Sequence, residues 1–128
     1  TGGYIVRHRQ VRTTQDVDDL LRALKPKQVL MSPYYEDRLT VSGKVAARQE
    51  LTVATPITHD LIQRGLIFHD GDPGLTRQML QARASRTDSG WIVSATRSAG
   101  PIHAVRAMCW ALSAASRGRG GRPKFVAR

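Results

Sequence analysis

An α/β domain with a small, mainly parallel sheet flanked by helices is predicted by three stretches of this chain. The first is an opening order of strand, helix and strand within residues 4–31. The second is a turn sequence, Asp88-Ser89-Gly90, between two β-forming runs, which predicts a hairpin in the C-terminal half. The third is an apolar helical stretch after Pro101. Strands that alternate with helices at this spacing point to parallel pairing, because a parallel partner needs a long crossover connection.

The elements follow in order. Tyr4 to Val11 (YIVRHRQV) is rich in β-formers and reads as a strand. Thr13 with Asp16 resembles a capping box, with Asp in place of Glu or Gln. Val17, Leu20, Leu21 and Leu24 follow at i, i+3, i+4 and i+7, one apolar helix face. Asp16, Asp18 and Asp19 fall at the start of that helix, where its dipole favours acids. Lys25-Pro26 ends it, and Gln28 to Met31 reads as a short buried strand completing a βαβ unit. Tyr34 to Leu39 reads as a helical turn, and Leu51 to Ala54 as a further strand. Thr55-Pro56 reads as an N-cap followed by Pro at the first helical position, with Gly65 closing that helix. Leu66 to Phe68 is a short extended piece. Asp72-Pro73 repeats the cap-and-Pro signal and opens a helix through Leu75, Met79 and Leu80. The hairpin pairs Ala84–Thr87 with Trp91–Ala95. The last helix buries Ile102, Val105, Met108, Cys109 and Leu112. Residues 1–115 form the domain, and the Gly- and Arg-rich stretch 116–128 is expected to be a flexible basic tail.

Composition narrows the function. The chain has 128 residues, 41% of them apolar, which is a globular composition with a modest core. Its net charge is +10, and sixteen of its twenty basic residues are Arg. Arg forks match phosphate oxygens in bidentate fashion, so the composition points to nucleic acid, and double-stranded DNA is the partner expected. The plainer reading is an Arg-for-Lys bias in composition. The single Cys109 excludes an internal disulfide and reads as a small core residue. No apolar run approaches the roughly 18 residues of a membrane span, so no membrane partner is expected. There is no His/Cys zinc spacing, no Gly-x-x-x-x-Gly-Lys phosphate loop and no Ser/His/Asp constellation.

Several residues are candidates for chemistry. In His69-Asp70-Gly71-Asp72-Pro73, two acids and an imidazole within four positions can hold a divalent metal. The simpler and preferred reading makes Asp72 a helix cap, Gly71 a turn residue and His69 a strand end. Arg77, Arg83, Arg86 and Arg97 either line one groove that tracks phosphates or form a solvated face. Trp91 and Trp110 are read as core or rim packing in preference to base-stacking platforms. Tyr34-Tyr35 sit in a loop after a strand end, where α/β proteins form sites. Of the ten acids, Glu36, Asp37, Asp70 and Asp72 remain as candidate metal ligands once cap and surface positions are set aside.

Residues 61–112 (LIQRGLIFHDGDPGLTRQMLQARASRTDSGWIVSATRSAGPIHAVRAMCWAL) string together a short helix, a His-x-Gly-Asp-Pro turn, a second helix, a hairpin and an apolar helix. That order resembles the end of the nuclease domain of large terminase subunits, the DNA-packaging motors of tailed bacteriophages, especially those of actinobacteria. The resemblance covers roughly residues 28 to 115. It implies a ribonuclease H-like fold, here truncated, in the bacterial host cytoplasm. It also implies a metal-dependent endonuclease using Mg2+ or Mn2+, with phage portal and small terminase as partners of the full-length protein. The family's ATPase and the strand bearing its first Asp would precede this chain in a longer protein. Where the family often has Asp-Pro after a strand, this chain has Ser32-Pro33, with Glu36 and Asp37 as the nearest substitutes. Where the family opens its last helix with Ile-Asp-Ala, this chain has Ile102-His103-Ala104, so His103 occupies the position of a family Asp. On this comparison the chain is expected to contact DNA and not to be a competent nuclease alone. The alternative is a non-enzymatic basic DNA-binding module or prophage remnant.

Overall fold

The computed structural model describes residues 3–46, 48–88, 90–118 and 124–127. Within them the chain is a mixed α/β domain of four helices and three small sheets. Strand β1 (Tyr4–Val6) pairs in parallel with β4 (Ile67–His69). Strand β2 (Gln28–Met31) lies between β3 (Lys44–Val45) and β7 (Lys124–Ala127), parallel to both. Strands β5 (Arg83–Thr87) and β6 (Gly90–Ser94) form the antiparallel hairpin. The opening strand and β2 therefore lie in different sheets, and the expected βαβ unit does not form. β1 is also shorter than expected. Its pairing ends at Val6, and the polar run that follows leaves the sheet.

Helix α1 (Thr14–Leu24) starts as expected, with the Thr13 hydroxyl accepting from the Asp16 amide at 3.1 Å. Lys25 ends it in the left-handed region at φ 48°, donating its amide to Leu21. Asp18 is not a dipole acid at the surface. It is buried and accepts from both the amide (2.7 Å) and the hydroxyl (2.8 Å) of Thr40, with Arg22 at 3.1 Å. Those bonds hold its carboxyl below the usual range and tie α1 to the segment after a 3-10 turn (Pro33–Tyr35).

Helix α2 (Arg48–Gln63) corrects two expectations. Leu51 to Ala54 is helix, not strand, and Pro56 lies inside the helix instead of opening it. Thr55 does not cap. Its hydroxyl donates to Leu51 O at 2.8 Å and accepts the Val93 amide at 3.3 Å, fastening α2 to β6. Gly65, at φ 68°, turns the chain out of α2 into β4, a conformation that favours glycine.

Helix α4 (His103–Gly118) is the axis of the domain. Val105, Cys109 and Ala114 join Leu51, Ala54 and Val93 in one core cluster. Ala104, Met108 and Leu112, on the neighbouring stripe, pack with Leu61 of α2 and Leu75 of α3 (Pro73–Gln81). A helix apolar over so much of its circumference is a buried one. Burial pushes the Cys109 thiol up to about 11, against a smaller opposing effect of the Thr58 hydroxyl, as befits a core residue. A smaller cluster of Leu21, Val29, Met31 and Tyr35 seats α1 on β2. Within the stretch expected to be a flexible tail, α4 continues to Gly118 and Lys124–Ala127 form β7. No helix among the described residues is long and apolar enough to cross a membrane.

Candidate nucleic-acid interface

Helix α3, the hairpin and the turn that follows it carry the candidate arginines. Asp72 caps α3, accepting the Leu75 amide at 2.9 Å, with Pro73 in the first turn. From the end of α3 the chain passes through Ala82 directly into β5. The segment after β6 folds back onto this junction. Ser98 Oγ accepts the Arg83 amide at 2.9 Å, the Arg97 amide donates to Ser94 Oγ at 3.3 Å, and the Ala99 amide donates to Gln81 O at 3.2 Å. Arg83 and Ser94 are cross-strand partners. Arg83 and Arg97 are thus held next to one another at the base of the hairpin. Arg77 lies one helical turn before Gln81. Arg86, three residues along β5 from Arg83, projects from the opposite face of the strand.

All four side chains are exposed. So are Arg7, Arg9, Arg12 and Arg117, and none of these eight makes an ion pair among the described residues. Four of the acids are matched to other arginines: Asp18 and Asp19 to Arg22, Asp37 to Arg38, and Asp60 to Arg64. Arg83 also donates from Nη1 to the carbonyls of Ala82 (2.8 Å) and Leu80 (3.3 Å) at the α3 C-terminus. A guanidinium has five N–H donors, so the rest stay available. Among the described residues, therefore, the surface offers exposed arginine charge that no carboxylate pairs with.

The candidate metal ligands do not converge. Among the described residues, no three His, Cys, Asp or Glu side chains are grouped to hold an ion. Asp37 is exposed and lies 3.4 Å from Arg38 Nη1, and Glu36 is exposed at the end of the 3-10 turn. The His69-Asp70-Gly71-Asp72 motif folds into local turn bonds. His69 Nδ1 accepts the Gly71 amide (3.0 Å), and Asp70 accepts the Asp72 amide (3.1 Å). Asp72 is engaged twice, by Leu75 and by His8 Nδ1 at 2.7 Å. His103 is exposed at the start of α4, with Gln78 Nε2 donating to its Nε2 at 3.3 Å. Buried Gln78 also accepts the Ala104 amide at 2.7 Å, so α3 caps the first turn of α4. These residues do not fit a two-metal centre, which needs carboxylates converging on ions about 4 Å apart. The His8 and Gln78 contacts had no sequence signal, since their partners stand 64 and 26 residues away.

Hydrogen bonding from His8 and from the Leu75 amide keeps the Asp72 carboxyl below its ordinary range. Its stabilising contribution is present above the ordinary carboxylate pKa of about 4 and is lost as pH falls through the depressed folded value. Asp72→Asn should therefore flatten the acid limb of a melting-temperature profile taken from about pH 6 down to about pH 2. Parallel profiles for the two proteins would show that this carboxylate has no such linkage.

Comparison of the chain with protein-family models, with curated proteins and with solved structures finds no match.

Proposed function

We propose that this chain is a DNA-holding module of a phage large terminase, derived from its ribonuclease H-like nuclease domain, and that it contacts duplex DNA without itself assembling a cutting centre. The observation that carries this reading is the set of exposed arginines around α3 and the hairpin that have no carboxylate partner among the described residues. Backbone phosphates are what such a surface fits, because guanidinium–phosphate pairing needs no base sequence. The order of α2, the His-x-Gly-Asp-Pro turn, α3, the hairpin and α4 supports the terminase resemblance. In that setting portal and small terminase would be partners of a longer protein, in the bacterial host cytoplasm.

A second reading, a non-enzymatic basic DNA-binding module of other origin, is favoured by the dispersal of the acids among the described residues. Both readings make the same test informative. The chain should bind a labelled duplex in the presence of EDTA, followed by fluorescence anisotropy. The same duplex should remain intact with millimolar Mg2+ or Mn2+. Failure to bind would defeat the DNA-holding role. Metal-dependent cutting abolished by Asp37→Asn would show that a working centre exists after all.

A further inference from the structure

The hairpin sets one of the candidate arginines beside an aromatic ring that duplex contact does not use. Arg86 and Trp91 are direct cross-strand partners, one pair away from the closing Thr87–Gly90 pair. Opposed residues on an antiparallel ladder share a face, with Cβ atoms about 5 Å apart. Trp91 is 48% exposed, whereas Trp110 is 4% exposed in the core. Of the core or rim positions expected for the two tryptophans, Trp110 takes the core and Trp91 the rim, with about half of its surface open. Among the described residues, the aromatic contact is between Tyr34 and Tyr35 and the cation–π contact is Arg38 over Tyr34, so neither a ring nor a cation covers Trp91. Arg86 is exposed and makes no ion pair among those residues. The hairpin is a sheet of its own, and its one described carboxylate, Asp88, lies in the turn beyond the pair.

An open indole beside an open guanidinium matches one nucleotide whose base is unpaired. The base stacks on the ring and a neighbouring phosphate meets the cation. A base inside a duplex has both faces occupied by its neighbours and offers none to the indole. We propose that the Arg86–Trp91 pair binds single-stranded DNA through base stacking on Trp91 and phosphate pairing with Arg86. The inference rests on the DNA-holding reading and adds a preference for exposed, unpaired strand.

The full chain reports this directly, because Trp91 is the exposed one of its two tryptophans. Titration with an oligothymidylate of about 15 nucleotides should quench tryptophan emission. Trp91→Leu should abolish the quenching and weaken single-strand binding about tenfold, with Trp91→Phe recovering part of the affinity. The same Leu variant should leave duplex affinity, read by anisotropy, within about twofold, since phosphate contacts dominate it. The substitution sits on an exposed face, and an unchanged thermal melt verifies the fold. If the duplex binds while Trp91→Leu alters neither the quenching nor the single-strand affinity, the stacking inference is wrong and the DNA-holding reading stands. If neither form of DNA binds, both are wrong.

Discussion

Leu51→Ala is expected to destabilise the domain by about 2–5 kcal/mol, the range for truncating a well-packed core leucine. Leu51 is 2% exposed and belongs to the cluster shared by α2, β6 and α4. Its neighbour Val53, on the same helix, is 52% exposed, so Val53→Ala should cost no more than about 0.5 kcal/mol. The contrast also tests the secondary structure. On a helix, positions 51, 54, 58 and 61 share a face and 53 points away, whereas on a strand 51 and 53 would share one. Urea unfolding of both variants measures this. Comparable losses at the two positions would mean that the segment is not the helix described.

The same segment shows why part of the fold was illegible in the sequence. The helical spacing of Leu51, Ala54, Thr58 and Leu61 is present, but Thr55-Pro56 reads locally as the start of a helix and divides the pattern. Tertiary contacts settle the matter: the Thr55 hydroxyl bonds to Leu51 O and the Val93 amide, and α2 is held through Pro56 against β6 and α4. Elements with purely local signals were legible. The Thr13 cap of α1, the Asp72-Pro73 opening of α3, strand β2, the hairpin and the apolar face of α4 all lie where the residues placed them. Pairings between distant segments were not legible. Nothing in Tyr4–Val6 specifies β4 as its partner, and nothing in β2 announces β7. The site divides in the same way. Exposure of the four arginines followed from their charge. The acids could be shortlisted by type, but whether they converge depends on long-range packing, and Asp72 is drawn instead to His8 and to its own helix.

Charge pairing sorts the arginines into two groups with different expected behaviour. Arg22 and Arg64 each lie within about one helical turn of the acids they pair with, at 3.1–3.3 Å. A phosphate approaching either one meets a cation already neutralised. Arg77, Arg83, Arg86 and Arg97 have no such partner among the described residues. Replacing the four together with Ala should cut duplex affinity by about three orders of magnitude at ~0.1 M salt if each releases its share of counterions. Removing Arg22 and Arg64 should cost far less, although it alters the net charge by half as much.

The dependence of duplex affinity on salt concentration tests the arginine surface most directly. For the native chain, the logarithm of the association constant should fall linearly with the logarithm of salt concentration, with a slope of about −4 or steeper. In the quadruple Ala variant the slope should be shallower by about 0.9 for each arginine that meets a phosphate, while the Arg22/Arg64 variant keeps the native slope. An affinity that does not change with salt, or a quadruple variant with the native slope, would contradict the assignment of this surface to the DNA backbone.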